Sequence, residues 1–162
     1  MIAIGIDPGK SGGISIIDSD MRKVLLRKCP SSPVEMADIL RTAKNRSYRN
    51  KNKIKIAIEK VHAFPTDARS AAFKFGTNYG MWLGIIGALR IPMIEVPPQE
   101  WMKSFAPLPK VKQERKKAIK EIAIELLSSI YSNSEKITYA VSDAALISIW
   151  CLERSEDENN RK

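Results

Sequence analysis

The chain has 162 residues and a formal net charge of +9, from 27 Lys and Arg against 18 Asp and Glu. This length fits a single domain with its own hydrophobic core. An excess of positive charge is unusual in a small enzyme, and it favours a polyanionic partner, nucleic acid above all. No run approaches the ~18 apolar residues of a membrane span, and no basic leader precedes the first apolar residues. We therefore expect an intracellular, cytoplasmic protein with no membrane partner.

The two cysteines give no support to a metal or disulfide framework. Cys29 and Cys151 are far apart in sequence, and neither belongs to a Cys-x-x-Cys pair. That arrangement argues against a zinc site and against disulfides. We expect both to be free thiols.

The first eighteen residues predict a β-hairpin with an acid at its mouth. Isoleucines at positions 2, 4 and 6 alternate with Ala3 and Gly5, a pattern typical of a central strand that is closely flanked on both faces. The Gly- and Pro-containing residues 8–13 must turn, and apolar residues resume at 14–17. Asp7 then ends the first strand. A carboxylate in apolar surroundings is costly unless it is paired or binds a metal.

Three other interpretations of this segment compete with a metal site. Residues 9–11, Gly-Lys-Ser, resemble the end of a phosphate-binding P-loop, but that motif needs a glycine where Ile4 stands. A strand, an Asp-x-Gly turn and a second strand also open the actin-like ATPases, which need two such lobes, whereas this chain has one. In the third interpretation, Asp7 only caps the turn, as Asx residues do.

The next segment predicts a third antiparallel strand over residues 22–28 and then a short helix. Ser32, Pro33 and Glu35 form a helix-start pattern with a capping box, and we expect the helix to run to about residue 44. Residues 44–53 are rich in Lys and Arg and contain no acid. Such a run indicates either a solvated loop or a contact with the DNA backbone, and the sequence leaves both open.

A second strand-end acid follows. Residues 54–59 alternate apolar side chains and end in Glu59, and residues 60–67 then read as an irregular loop. His62 in this loop is the only histidine, and a lone histidine is more often structural than a metal ligand. Phe64 has no periodic apolar neighbours, so it either stacks on an unpaired base or folds back on the core.

Residues 68–89 predict a long helix that packs over the sheet. Its expected buried face consists of apolar side chains at helical spacing, namely Ala72, Phe75, Tyr79, Trp82, Leu83 and Ile86. Glycine recurs every fourth residue, at Gly76, Gly80 and Gly84, although each costs up to about 1 kcal/mol relative to alanine. Something must approach this stripe closely, and intramolecular packing and a dimer interface are equally compatible with it.

The last third of the chain predicts one more strand and three helices. Residues 91–96 should pair in parallel with the preceding strand after the helical crossover, and residues 99–105 form a short helix. Residues 112–129 form a helix whose first turns are crowded with cations, which oppose the helix macrodipole and so favour a nearby anion. The final helix, residues 139–152, carries Asp143 among apolar residues, where a carboxylate needs a metal or a hydrogen-bond network. Residues 1–154 then make one domain, and residues 155–162 a charged, flexible tail.

Asp7, Glu59 and Asp143 converge if the first and fourth strands are neighbours and the last helix crosses their ends. Carboxylates without zinc-type ligands suit Mg²⁺ or Mn²⁺. Two such ions about 4 Å apart can activate water and stabilise a leaving oxygen in phosphodiester hydrolysis. The predicted fold class is α/β and RNase H-like, with a five-stranded mixed sheet of three antiparallel and then two parallel strands, flanked by helices.

Three segments resemble motifs of the RuvC-type Holliday-junction resolvases. They are Gly-Ile-Asp-Pro-Gly at residues 5–9, Ile-Glu-Lys-Val at 58–61 and Ser-Asp-Ala-Ala-Leu-Ile-Ser-Ile at 142–149. Their order and spacing match across nearly the whole chain, and residues 73–84 with 97–101 are most similar to the phage-encoded branch of that family. The resemblance implies a homodimer that cuts four-way and branched DNA symmetrically and leaves 5′-phosphate and 3′-hydroxyl ends.

The resemblance also implies roles for particular residues. Asp7, Glu59 and Asp143 would be catalytic and would hold two Mg²⁺ ions per site, with Mn²⁺ as a substitute and no small-molecule cofactor. The loop of residues 61–67 would enter the junction, and Gly76, Gly80 and Gly84 would line the dimer interface. The expected DNA contacts are Lys10, Lys60, His62, Phe64, Arg69, Lys103, Lys110, Lys112, Arg115 and Lys116.

One position departs from the family pattern. The family often carries Asp or His three residues before its last Asp, and this chain has Ala140 there. The departure puts the metal-binding set in doubt. The alternatives to a resolvase are a less selective branched-DNA or RNase H-type nuclease, and a junction-binding module with weak catalysis.

Overall fold

The structure is a computed structural model, and it describes residues 1–60, 68–130 and 136–160. This part of the chain contains five strands and five helices. They are β1 (Ile2–Asp7), β2 (Gly13–Asp18), β3 (Lys23–Lys28), α1 (Pro33–Asn50), β4 (Ile54–Glu59), α2 (Arg69–Ala88), β5 (Met93–Val96), α3 (Pro98–Lys103), α4 (Lys112–Ile130) and α5 (Ser142–Asn160).

The five strands form one mixed sheet in the order β3-β2-β1-β4-β5. β1, β2 and β3 pair antiparallel through the predicted hairpin, in which Asp7 lies opposite Gly13. β4 joins the other side of β1 in parallel, and β5 pairs in parallel with β4. The prediction of three antiparallel and two parallel strands is confirmed.

Each face of the sheet is covered by helices, so the chain has two apolar cores. Ile2, Ile4 and Ile6 point to one face, where they pack with residues of α1 and α2. Ala3 on the same strand points to the opposite face and packs with residues of α3, α4 and α5. Because side chains alternate along a strand, β1 presents large residues to one layer and small residues to the other.

The small face of β1 lets α5 lie directly on the sheet. A Cβ atom on Gly5 would collide with the Ala144 carbonyl oxygen and the Ser148 amide, and would lie 2.9 Å from the Ile147 carbonyl carbon. The buried hydroxyls of Ser15 and Ser148, 2.7 Å apart, add a polar link between β2 and this helix. Gly5 therefore fixes how closely α5 approaches the sheet.

The first helix is longer than the sequence predicted. The expected Ser32 cap is present, with its hydroxyl accepting from the Glu35 amide at 3.1 Å, but α1 continues to Asn50. Ala43 and Ser47 extend its buried stripe, and the Lys44 ammonium donates to the Leu89 carbonyl. Much of the basic run is therefore helical, and its interpretation as a loop is wrong.

The last helix is displaced from its predicted bounds. It begins at Ser142 and ends at Asn160, whereas residues 139–152 were predicted. Asp143 therefore lies in its first turn, not in its interior. At the other end Ser155 is buried, and its hydroxyl donates to the Cys151 carbonyl at 2.7 Å. The helix thus includes residues 155–160 of the predicted tail.

Three simpler expectations concern α2, the cysteines and the membrane. On α2, Trp82 and Ile86 are buried as predicted, but Phe75 is 36% exposed. Neither Cys29 nor Cys151 forms a disulfide, as predicted. Among residues 1–60, 68–130 and 136–160, no helix is long and apolar enough to cross a membrane.

Candidate active site

Asp7 is held at the end of β1 by the turn that follows it. Its Oδ1 accepts a hydrogen bond from the Gly9 amide at 3.0 Å. The turn closes on itself, because the Gly12 amide donates to the Gly9 carbonyl at 2.9 Å. A Cβ on Gly12 would lie 2.5 Å from Oδ2 of Asp7 and would overlap its carboxyl carbon. Glycine at position 12 is therefore required for the carboxylate to occupy this place.

Glu59 reaches the same edge of the sheet from the neighbouring strand. β1 and β4 are parallel, and Ile6 pairs with Ile58 in their register, so both acids come one residue later. Residues two apart on a strand share a face, which places Asp7 on the face of Ala3 and Gly5, and Glu59 on the face of Ala57. Both half-buried acids thus lie on the side of the sheet that α5 covers.

Asp143 completes the set from the helix that lies over this edge. It is half-buried in the first turn of α5, and a hydrogen bond with Ser142 favours its charged form. A helix N-terminus also favours a carboxylate, through the macrodipole. The contact of α5 with Gly5 brings this turn towards the ends of β1 and β4.

The three acids influence one another electrostatically. Burial, then the charges of Asp7 and Asp143, raise the pKa of Glu59 to about 8. Burial and the charge of Asp7 raise the pKa of Asp143 to about 6. Burial also raises the pKa of Asp7, although the Gly9 hydrogen bond opposes the shift. The sequence prediction that these acids converge is supported by this mutual repulsion, which requires proximity.

Two cations of α4 lie beside the acids. The Lys116 ammonium lowers the pKa values of Asp7 and Asp143 against the effect of burial, and the Arg115 guanidinium acts on Asp143. Arg115 is also fixed by its donation to the Lys110 carbonyl at 3.1 Å. Lys112, in the first turn of the same helix, is exposed. The site therefore combines three carboxylates with two cations.

The donor set suits a hard divalent cation. Within the described parts of the chain, no group of three His, Cys, Asp or Glu side chains is already arranged as a metal site. The chemistry fits nevertheless, because three half-buried carboxylates repel one another and supply only oxygen ligands. A cation between them would offset that repulsion. Asp7, Glu59 and Asp143 are the residues that would hold it.

A residue that sequence reasoning missed supports the Asp7 turn from α2. The side-chain amide of Asn78 donates to the Pro8 carbonyl and, at 3.3 Å, to the Cys29 sulfur. Asn78 thus connects α2 to the turn and to the end of β3. A lone polar residue inside an apolar helical stripe was the only signal in the sequence that could have indicated this role.

Most of the other predicted DNA contacts lie on the surface. The exposed cations among them are Lys10, Lys60, Arg69, Lys103, Lys110 and Lys112. His62 and Phe64 lie in residues 61–67, outside the described residues, so their roles stay predictions. Ala140 packs close to Gly13, since a Cβ on Gly13 would lie 2.9 Å from the Ala140 carbonyl oxygen. Its side chain supplies no carboxylate to the site.

The predicted dimer glycines are exposed on α2. Among residues 1–60, 68–130 and 136–160, a Cβ added at Gly76, Gly80 or Gly84 would meet nothing within 4 Å. Against these residues, the glycines therefore do not serve close packing within the chain. Their role at an interface between two copies stays a prediction.

The fold has close counterparts among solved structures. RuvC of Thermus thermophilus in complex with a Holliday junction substrate superposes with a TM-score of 0.61 and 15% identity, covering 97% of this chain and 96% of that chain. This is an RNase H-like fold. A second Thermus thermophilus RuvC structure gives a TM-score of 0.58 at 16% identity, covering 96% of this chain and 97% of that one.

A eukaryotic structure shares the same architecture. The yeast mitochondrial Holliday junction resolvase Ydc2 has a TM-score of 0.50 and 16% identity, covering 98% of this chain and 82% of that chain. No protein-family model and no curated protein matches the sequence. At 15–16% identity, the three structures establish the RNase H-like fold.

Proposed function

We propose that the protein is a metal-dependent endonuclease that resolves Holliday junctions and related branched DNA. The observation that carries the proposal is the cluster of Asp7, Glu59 and Asp143, contributed by β1, β4 and α5 to one edge of the sheet. The similar structures are Holliday junction resolvases, one of them with its junction substrate. The net charge of +9 suits a DNA partner.

The residues of the site divide the work of phosphodiester hydrolysis. Asp7, Glu59 and Asp143 would hold Mg²⁺, or Mn²⁺ in its place, with two ions as the proposed complement. When bound, such ions activate water and stabilise the attacking and leaving oxygens of an in-line displacement. The Gly9 amide keeps the Asp7 carboxylate in place. Lys116 and Arg115 lie where they can stabilise negative charge on the phosphate that is cut.

Exposed cations of α3, α4 and the segment between them suit contacts with a DNA backbone. Lys103, Lys110 and Lys112 are exposed, and Arg115 donates to the Lys110 carbonyl at 3.1 Å. Contacts with phosphate position a DNA-binding protein without reading sequence. We propose that these residues hold a DNA arm beside the carboxylates.

Two copies of the chain would make the cuts symmetric. Gly76, Gly80 and Gly84 form an exposed small-residue stripe on α2, a helix whose Asn78 also supports the Asp7 turn. A two-fold interface along this helix would place two carboxylate sites in a fixed relation. We propose a homodimer on this stripe, with one site for each of two opposed strands of the junction.

The decisive experiment compares three DNA substrates. Purified protein is incubated with a four-way junction, a flap and a linear duplex of matched sequence, each with Mg²⁺ or with EDTA. We expect paired nicks in the junction with 5′-phosphate ends, no cleavage in EDTA and little cleavage of the linear duplex. Equal cleavage of all three would indicate a less selective nuclease, and tight junction binding without cleavage would indicate a binding module.

A further inference from the structure

A groove beside the Asp7 turn has no role in the proposed reaction. It has a volume of about 600 Å³ and lies between the first half of α2 and the segments around Gly9 and Pro30. That volume is within the range of pockets that hold organic ligands, about 300–1,000 Å³. Its principal lining residues are Lys10, Cys29, Phe73, Lys74, Phe75 and Asn78.

The groove presents aromatic rings to solvent. Phe73 is 76% exposed and Phe75 is 36% exposed, although both belong to a helix that packs on the sheet. Phe75 shares a helical stripe with the buried Trp82 and Ile86, but it lies nearer the start of α2. There its ring faces the Gly9 turn and not the sheet, because a Cβ on Gly9 would lie 3.4 Å from the ring. Phe75 is thus an exposed aromatic residue at the edge of the candidate active site.

The described residues that line the groove carry positive charge. Among them are Lys10 and Lys74, and none is an Asp or Glu. Within residues 1–60, 68–130 and 136–160, neither lysine forms an ion pair. Aromatic rings flanked by cations are the combination that binds single-stranded nucleic acid, because bases stack on the rings and phosphates pair with the cations. A paired duplex keeps its base faces covered and would gain little from the rings.

The groove is continuous with the carboxylate site through one short turn. A Cβ on Gly9 would lie 3.4 Å from the Phe75 ring and 3.3 Å from Oδ1 of Asp7, which also accepts a hydrogen bond from the Gly9 amide. Asn78 lines the groove and also donates to the Pro8 carbonyl. A strand that leaves the carboxylates across this turn would therefore pass over Phe75.

We propose that this groove binds an unpaired segment of the DNA substrate, with a base stacked on Phe75 and its phosphates against Lys10 and Lys74. The proposal rests on the proposed function for its choice of DNA. It adds a binding site for a single strand, adjacent to the carboxylates, whose lining includes neither the three acids nor the basic residues of α4. The site selects substrates with unstacked bases near the point of cleavage.

The test measures binding in EDTA, where no cleavage occurs. Fluorescence anisotropy gives the affinity of the full-length protein for a labelled oligothymidine and for a linear duplex. Stacking on one ring changes affinity by between about fivefold and about a hundredfold. We expect Phe75→Ala and Phe75→Leu to weaken oligothymidine binding about tenfold, Phe75→Tyr to retain it, and all three to leave duplex binding unchanged.

Two controls separate stacking from structure and from general charge. Tyr48→Ala removes a 75% exposed aromatic residue of α1 outside the groove, and it should leave oligothymidine affinity unchanged. Phe75→Leu keeps an apolar contact with the turn, so its melting temperature should match that of the unmutated protein. Lys74→Gln should lower the salt dependence of oligothymidine binding.

The outcomes distinguish this proposal from the proposed function. If Phe75→Leu binds oligothymidine as tightly as the unmutated protein, the groove proposal is wrong, even where Mg²⁺-dependent junction cleavage is intact. If Phe75 governs oligothymidine binding while no junction is cut in Mg²⁺, the groove stands and the proposed function fails. If the groove instead binds a second copy of the chain, Phe75→Leu should weaken self-association and leave oligothymidine affinity unchanged. That result would also overturn the proposal.

Discussion

Gly5 of β1 and Ala144 of α5 are in direct backbone contact, because a Cβ on Gly5 would overlap the Ala144 carbonyl oxygen. Asp143 immediately precedes Ala144, and Asp7 follows Gly5 on the same face of the strand. Because Gly5 has no side chain, α5 can lie close to β1, and this close approach sets the distance between Asp7 and Asp143. The site depends on this contact as much as on the acids themselves.

Gly5→Ala should separate α5 from the sheet. The added methyl group has no free space, and overpacking of this kind typically costs about 1–3 kcal/mol. In a domain of this size each kcal/mol lowers the melting temperature by about 2–4 °C. We expect a clear loss of thermal stability and of nuclease activity. Gly87→Ala is the matched control, since a Cβ there meets no described residue within 4 Å, and it should not lower the melting temperature.

Replacing a single carboxylate should abolish cleavage and spare binding. For Asp7→Asn, Glu59→Gln and Asp143→Asn we expect junction cleavage to fall at least about a hundredfold, the cost typical of losing one group that stabilises the transition state. Junction affinity should stay within about twofold, because phosphate contacts elsewhere supply it. Asp38→Asn, at an exposed acid paired with Arg41, is the control. Full activity in any of the three site variants would refute its assignment.

The stability of the metal-free protein should fall as the pH rises from about 4.5 to about 8. The pKa of Glu59 is raised from 4.5 to about 8, so in this window the folded protein keeps a proton that the unfolded chain has lost. The free energy of unfolding must decrease with pH wherever the folded state binds more protons. Asp143, with its pKa raised to about 6, adds to the decrease at lower pH.

Glu59→Gln isolates that contribution. The variant cannot ionise at this position, so in EDTA at pH 8 it should melt several degrees above the unmutated protein, and at pH 4.5 the two should melt together. Differential scanning calorimetry across this range measures the effect. If Glu59→Gln is instead less stable than the unmutated protein at pH 8, then Glu59 is ionised in the folded protein and other groups stabilise its charge.

Lys116 should matter to the site, and its neighbour Lys117 should not. Lys116 lowers the pKa values of Asp7 and Asp143, whereas Lys117 pairs with Glu121 at 3.9 Å. Lys116→Gln should raise the pKa of Asp143 in a carboxyl NMR titration and slow cleavage by roughly tenfold or more. Lys117→Gln should change neither quantity. Equal effects of the two substitutions would mean that only net charge is involved.

Gly80→Leu should weaken self-association without unfolding the chain. Among the described residues nothing lies within 4 Å of a Cβ on Gly80, and leucine is a better helix former than glycine, so a single chain should tolerate the change. A leucine between two helices that meet on the glycine stripe would push them apart. Light scattering at micromolar concentration should therefore show a dimer for the unmutated protein and a smaller species for the variant. An unmutated monomer contradicts the proposed interface.

The sequence was sufficient to predict the sheet and the positions of two acids. Ile2, Ile4 and Ile6 alternate with small residues, residues 54–59 repeat this pattern, and each run ends in a carboxylate. Alternation with a period of two specifies both the strand and the face of each side chain, and it is a local property. Because β1 and β4 are parallel neighbours, the two acids necessarily meet at one edge.

Other features could not be derived from local patterns. The sequence placed Asp143 inside a helix that starts at 139, whereas the fold begins the helix at Ser142 and makes Asp143 part of its first turn. It could not distinguish among Lys112, Arg115 and Lys116, because a register of one residue rotates a side chain by about 100° around a helix axis. Only the packing of α4 decides which cations approach the acids.

Phe75 illustrates the same division between sequence and tertiary structure. Its helical spacing correctly places it on the stripe of Trp82 and Ile86, and that spacing predicted burial. The ring is nevertheless exposed, because at its position on α2 it faces the Gly9 turn and the groove. Periodicity specifies the direction in which a side chain points, and only the tertiary structure determines whether anything lies there to cover it.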